Sequence, residues 1–239
     1  MSGRKRFFID GINGDTAVLE GDEFVHAVTV QRVDAGSVIC LLDGSGKEYT
    51  AEVCKIEKKR LTARITEIRQ SDAEPENALY LLIGALKGDK TELVVQKACE
   101  LGAEKIGVFS SDYCSAFLNA NKLERLNKVC REATKQCMRA RAPKIEYFCD
   151  LQSALSSAAG YKNKLFACEF ADGSECDLSA LNGSTAIAVG SEGGFSQREF
   201  ELSRALGFST VHLGKRILRA ETAAISLCAI AMHALGELQ

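Results

Sequence analysis

Two neighbouring stretches hold the residue types on which a reaction could be built. The first is Ala186-Ile-Ala-Val-Gly190-Ser-Glu-Gly-Gly-Phe195, and the second is Val211-His-Leu-Gly214-Lys-Arg-Ile-Leu-Arg219-Ala-Glu-Thr222. In both, a short apolar run reaches a glycine, crosses an irregular polar turn and enters a helical pattern. That pattern predicts a buried strand ending in a loop at its carboxyl edge, where parallel α/β sheets bind their ligands. Gly193-Gly194 lets a backbone come close to a ligand or take up left-handed geometry. An arginine in such a loop, Arg219, can clamp a nascent anion. Glu221, at a helix start, suits the positive end of the helix dipole.

Other candidate chemistries fail on spacing. Gly84-Ala-Leu-Lys-Gly88-Asp-Lys-Thr91 has the flavour of a phosphate loop, but one residue is missing between its glycines and Asp89 separates Gly from Lys. Gly190-Ser-Glu-Gly-Gly194 does not match the dinucleotide fingerprint. The ten cysteines are scattered without a C-x-x-C, and the three histidines lie far apart, so no metal is expected. Buried free thiols in a reducing cytosol are expected instead.

Formal net charge is −2 over 239 residues, so bulk charge announces no nucleic-acid partner. Local charge does. From Lys122 to Lys144 eight Lys/Arg face two Glu, with Lys128, Arg131 and Lys135 on one predicted helix face. This reads as a phosphate-contacting surface rather than a mixed solvated one. No apolar run is long enough to span a membrane, and the basic start lacks the apolar stretch of a signal peptide. A cytoplasmic protein is expected.

The elements that must position these residues fall into two groups. Residues 1–70 look β-rich, with strands at 38–42, 48–56 and 61–68 and a short helix at 23–32. An acidic, proline-bearing stretch at 71–77 is the predicted linker. From 78 to 239 strands alternate with helices: strands near 79–83, 105–109, 145–148 and 165–168, helices at 91–101, 121–140 and 151–159. Ser196-Gln-Arg-Glu199 is a capping box that opens a helix ending at Gly207, and the closing helix runs over 221–235. Alternation of this kind predicts a mostly parallel sheet covered on both faces.

Taken together, these residues resemble the SPOUT superfamily of methyltransferases, and within it the bacterial family that methylates N3 of a uridine in small-subunit (16S) ribosomal RNA. The resemblance runs nearly the full length. It covers Arg6-Phe-Phe8, His26 through Arg32, Leu42-Asp-Gly-Ser45, Lys87-Gly-Asp-Lys90 with Gln96 through Gly102, and Gln136-Cys-Met-Arg139 with Pro143. It is most specific at the two glycine loops. Ser191 stands where the family usually has proline, and Gln31 replaces an apolar residue.

The resemblance implies an α/β fold: a PUA-like β-barrel RNA-binding domain over 1–70, then a SPOUT methyltransferase domain with a trefoil knot over 78–239. It implies S-adenosyl-L-methionine as cofactor, a homodimer, and the assembled 30S subunit as substrate. Gly190, Glu192, Gly193, Gly194, Phe195, Leu213, Gly214, Ile217, Leu218, Arg219, Glu221, Thr222 and Ala223 are then expected to hold the cofactor, largely through backbone. Arg219 is expected to stabilise charge on the uracil, with Glu192 or Glu221 as candidate bases. Arg6, Arg32, Gln136, Arg139 and Arg141 are expected to grip the RNA. A sulfonium methyl is electrophilic enough to need neither metal nor enzyme nucleophile. The alternatives are a SPOUT enzyme acting on ribose 2′-OH or tRNA, and a non-catalytic RNA-binding protein.

Overall fold

The structure, a computed structural model, describes residues 4–169 and 176–238. The chain forms two compact units, Met1–Glu74 with Thr134–Ala142, and Pro75–Ala133 with Pro143–Gln239. The boundary between Glu74 and Pro75 divides the expected linker 71–77 between the two units, and Thr134–Ala142, late in the sequence, packs in the first unit.

The first unit contains β1 (Arg6–Phe8), β2 (Ile12–Asn13), β3 (Thr16–Glu20), β4 (Val38–Leu42), β5 (Lys47–Ile56) and β6 (Arg60–Gln70). They form one six-stranded sheet in the order β1-β4-β5-β6-β3-β2. Only β1 and β4 pair in parallel; the other pairs are antiparallel. Alternation with period two puts Ala17 and Leu19, Ile39 and Leu41, Tyr49, Ala51 and Val53, and Leu61 and Ala63 into a single core. Register shifts at Thr50/Ala51 and Val53/Lys55 mark irregularities in the β5–β6 ladder, the device by which a sheet coils around a core. The helix expected at 23–32 is split. A single α turn, α1 (Gly21–Val25), runs into a π-helical turn at His26–Val30, and Arg32 follows with φ of 51°.

Part of the opposite face of this sheet, at β1 and β4, is covered by the segment 134–142. Phe8, Cys40 and Leu42 pack with Ala140, and beside them runs a buried polar seam. An Arg6 guanidinium nitrogen donates to Glu48 Oε1 at 2.8 Å and to the carbonyls of Met138 and Arg139 at 3.1 and 3.0 Å. Arg69 Nε donates to the other oxygen of Glu48 at 2.9 Å. Burial pushes the Glu48 carboxyl up, but hydrogen bonds from Arg6 and Arg69 outweigh it and hold the group below its ordinary value. Nearby, Arg139 donates to Glu74 Oε2 at 3.0 Å, and the backbone N–H groups of Ala140 and Arg141 donate to Glu74 Oε1 at 2.8 and 2.9 Å.

The second unit contains β7 (Leu79–Gly84), α2 (Lys90–Glu100), β8 (Lys105–Phe109), most of α3 (Ala120–Gln136), β9 (Lys144–Phe148), α4 (Leu151–Ser156) and β10 (Asn163–Ala167). It continues with β11 (Thr185–Val189), α5 (Gln197–Ala205), β12 (Ser209–Val211) and α6 (Ala220–Ala234). The strands form a second six-stranded sheet, β12-β10-β11-β7-β8-β9, parallel throughout. β7 and β11 sit in its middle and are buried at every residue, hence their unbroken apolar runs. From the edge strand β12 the chain turns back, and α6 packs on β11, β7 and α2. The trefoil knot implied by the resemblance would be tied on this return.

No helix among the described residues is long and apolar enough to cross a membrane. The cysteines are free, but only Cys40, Cys99, Cys130 and Cys228 are buried, and Cys54 and Cys149 are exposed. The expectation of mostly buried thiols is corrected to that extent. An apolar neighbour in the sequence does not decide which face of a strand or helix a residue occupies.

Candidate active site

β11 and β12 lie on either side of β10, so the two glycine loops leave the same edge of the sheet with the end of β10 between them. A cleft of about 670 Å³ opens there, lined by both loops, by Ala167, Cys168 and Glu169 at the end of β10, and by Lys90. It lies wholly within the second unit.

The first loop is held from several sides. Gly84, ending β7, must be glycine, because a Cβ there would lie 2.5 Å from the Ser191 backbone nitrogen. Ser191 is buried, and the Gly194 N–H donates to its carbonyl at 3.0 Å, closing the turn. Gly194 takes φ of +69°, which a side chain would resist. Phe195 then drops into the core, its ring 4.0 Å from that of Phe166 and 6.2 Å from that of Phe109. Ser196 and Glu199 form the predicted capping box at the start of α5. Glu199 also accepts from the backbone N–H of Asp112 at 2.9 Å. A loop pinned in this way does not depend on proline at position 191.

The second loop is more open. Ile217 is 90% exposed, and Gly214 has φ of +77°. Arg219 occupies the N-cap of α6 with an extended backbone and contributes no side-chain cap. Its guanidinium is exposed, lines the cleft, and has neither an ion pair nor a hydrogen bond among the described residues.

Of the residues expected at the cofactor, Gly190, Glu192, Gly193, Gly194, Phe195, Leu213, Gly214, Ile217, Leu218, Arg219 and Ala223 line the cleft. Glu221 and Thr222 do not. Glu221 turns instead toward α2, where Lys90 Nζ lies 3.4 Å from its Oε1 and 3.5 Å from Glu192 Oε1. Glu192 Oε1 also accepts from the Lys87 backbone N–H at 3.0 Å. Burial raises the Glu192 carboxyl, but the Lys87 N–H and the Lys90 charge together hold it below its ordinary value. Lys90 was missed as a site residue. It was visible within Lys87-Gly-Asp-Lys90, but nothing local shows that it spans two later loops. The end of β10 was missed because strand order is not written in strand pattern.

The residues expected to grip RNA divide. Arg32, Gln136 and Arg141 are exposed. Arg6 and Arg139 are not: both are buried and committed to Glu48 and Glu74. A guanidinium desolvated and paired in this way holds the fold and is not offered to a phosphate in this conformation, although Arg6 Nε is buried without a hydrogen-bond partner among the described residues. Lys135 likewise departs from the expected cationic helix face, buried with its ammonium 3.3 Å from Glu23. On the exposed side, Lys128 pairs with Glu124 at 3.2 Å and Arg125 with Glu92 at 2.9 Å. The cations of α3 are partly balanced, by Glu124 on the same helix and by Glu92 on α2.

With this geometry in view, similarity to known proteins is decisive. A family model described as an RNA methyltransferase domain matches residues 73–232, and one described as an RNA methyltransferase PUA domain matches residues 19–66. The ribosomal RNA small subunit methyltransferase E of Mesomycoplasma hyopneumoniae is 32% identical over 225 residues, covering 93% of this chain and 96% of its own. The chain belongs to this family. The Rickettsia conorii member is 34% identical over 217 residues, covering 88% of this chain and 87% of its own. Among solved structures, the Neisseria gonorrhoeae member, bound to S-adenosyl methionine, superimposes with a TM-score of 0.87 at 28% identity, covering 98% of both chains. A Legionella pneumophila methyltransferase with bound cofactor SAM gives a TM-score of 0.87 at 27% identity, covering 97% of this chain and 98% of that one. The PUA-like and SPOUT methyltransferase fold classes expected from the sequence are those of the first and second units.

Proposed function

We propose that the protein uses S-adenosyl-L-methionine to methylate N3 of a specific uridine in small-subunit ribosomal RNA, within the assembled 30S particle, as a cytoplasmic homodimer. The observation that carries the reading is the cleft where β10, β11 and β12 end, built from two glycine loops in a chain of this family. Its volume is in the range of small-molecule sites, and glycine-rich backbone on two sides presents N–H and C=O groups to a ligand bound mostly by main chain. Gly190, Gly193 and Gly194 from one loop and Leu213, Gly214 and Leu218 from the other would hold the cofactor, with Thr222 and Glu221 supporting from the first turn of α6. When bound, S-adenosylmethionine supplies a methyl group on a positively charged sulfur.

The chain's own side chains prepare the base. Uracil N3 is a poor nucleophile until it loses its proton, and the charge that develops then spreads onto O2 and O4. Arg219, a guanidinium at the cleft with no partner among the described residues, would meet that charge. Glu192 is the candidate carboxylate that lines the cleft, and it is held ionised, as a proton acceptor must be before it acts. N3 lies on the pairing edge, so the target uridine must be unpaired or flipped out. Arg32, Gln136 and Arg141 contact the surrounding RNA backbone in this reading.

The test is to incubate the protein with labelled S-adenosylmethionine and 30S subunits from cells lacking the modification. A single new reverse-transcription stop in the small-subunit RNA, with label recovered in 3-methyluridine, is the expected result. Label in ribose, or in tRNA but not subunits, would overturn the substrate assignment.

A further inference from the structure

One ammonium and two carboxylates meet beside the cleft. Lys90, at the start of α2, reaches Glu192 in the loop after β11 and Glu221 in the first turn of α6, at 3.5 and 3.4 Å. The cluster therefore joins the segments that follow β7, β11 and β12. Its charges do not cancel. Both ion pairs use an Oε1 atom of the carboxylate, and Glu221 Oε2 is buried with no hydrogen-bond partner among the described residues. Two carboxylates on one ammonium leave a surplus of about one negative charge. Its members are each no more than about a third exposed, with side-chain exposures of 31% for Lys90, 28% for Glu192 and 12% for Glu221.

The other charges at the cleft are differently placed. Lys215, Arg216 and Arg219 on the second loop, and Glu169 after β10, line it as well, but all four are exposed. Water and salt screen them, whereas the cluster, in which Lys90 and Glu221 are half-buried and Glu192 is an exposed residue whose side chain is 28% exposed, acts on average through a medium of lower dielectric. The exposed cations suit a polyanion arriving from solvent; the half-buried surplus suits a cation held inside.

We propose that the Glu192–Lys90–Glu221 cluster is the element by which the cleft tells cofactor from spent product. The proposal rests on S-adenosylmethionine as the ligand of this cleft. Methyl transfer breaks the sulfur–methyl bond and leaves its electron pair on sulfur, so a sulfonium cation becomes the neutral thioether of S-adenosylhomocysteine. A surplus negative charge favours the first and is indifferent to the second, so the product loses part of its hold when the reaction is complete. Lys90 keeps the surplus near one charge and sets the spacing of the two carboxylates.

Calorimetric titration of three ligands tests this. S-adenosylmethionine and sinefungin, which carries a protonated amine where the cofactor carries its sulfonium, are the charged probes; S-adenosylhomocysteine is the neutral one. Glu192→Gln removes one negative charge and is expected to weaken both charged ligands about threefold to tenfold relative to the neutral one, the scale of a single partly screened charge. Glu221→Gln is expected to do the same independently, and Lys90→Arg to leave the ratios as they were. Equal weakening of all three ligands in both Gln variants would reduce the cluster to scaffolding and overturn the proposal, and unchanged affinities would overturn it as well. Failure of the unaltered protein to bind any of the three would overturn the cofactor reading itself, a result distinguishable from the others.

Discussion

Arg6 and Arg139 in the first unit and Arg219 in the second are the same residue type in opposite surroundings. The first two are buried, each paired with a glutamate. Arg219 is exposed at the rim of a cleft with no partner among the described residues. Burying a guanidinium is costly unless it is paired. Arg139 and Arg6 each have a glutamate, although Arg6 Nε is buried without a hydrogen-bond partner among the described residues, and we read both as structural. An arginine left unpaired beside a concave site is what a developing anion requires. Charge in a sequence says that a cation is present; burial decides what it is for.

The sharpest way to break the comparison is at Arg219. Arg219→Ala should lower kcat by about 10²–10³-fold, the usual effect of removing one charge-stabilising donor, with cofactor affinity within about threefold. Turnover on 30S subunits and a cofactor titration measure the two. Equal losses in both would place Arg219 in cofactor binding rather than in stabilising the base.

Next in size is the buried seam. Arg139→Ala leaves the Glu74 carboxylate without its cation and should cost about 3 kcal/mol of stability, read from denaturant unfolding. Glu48 sharpens the same point through pH. Its carboxyl lies below the ordinary 4.5 in the folded protein, so its contribution is complete above that value and is lost as pH falls through the depressed one. Unfolding curves below pH 4.5 should be less steeply pH-dependent in Glu48→Gln than in the unaltered protein. The smallest effect belongs to Lys128, exposed and paired one helical turn from Glu124. Lys128→Ala should change stability by no more than about 0.5 kcal/mol.

Much of the architecture was legible because it is local. Period-two alternation marked the strands of the first sheet, strand–helix alternation marked the second, and Ser196-Gln-Arg-Glu199 announced its capping box. The glycine loops could be read as sheet-edge loops from their apolar run, glycine and polar turn. What could not be read depends on pairing across long distances. Nothing near Arg139 says that Glu74 will take it, and nothing near Lys135 names Glu23. The return of Thr134–Ala142 to the first unit rests on Phe8, Cys40 and Leu42 being there to receive Ala140. Lys90 belongs to the same class: its role exists only because strand order brings the ends of β7, β11 and β12 together.

The most direct test of the account pairs two variants in one experiment. Arg6→Met and Arg219→Met would each be measured for melting temperature and for turnover per folded molecule on 30S subunits. The account predicts a crossover: Arg6→Met melts several degrees lower while its folded fraction keeps most of its turnover, and Arg219→Met melts normally while turnover collapses. If Arg6→Met kept its melting temperature and lost turnover, or Arg219→Met lost stability and kept turnover, the division between structural and reactive arginines would be contradicted.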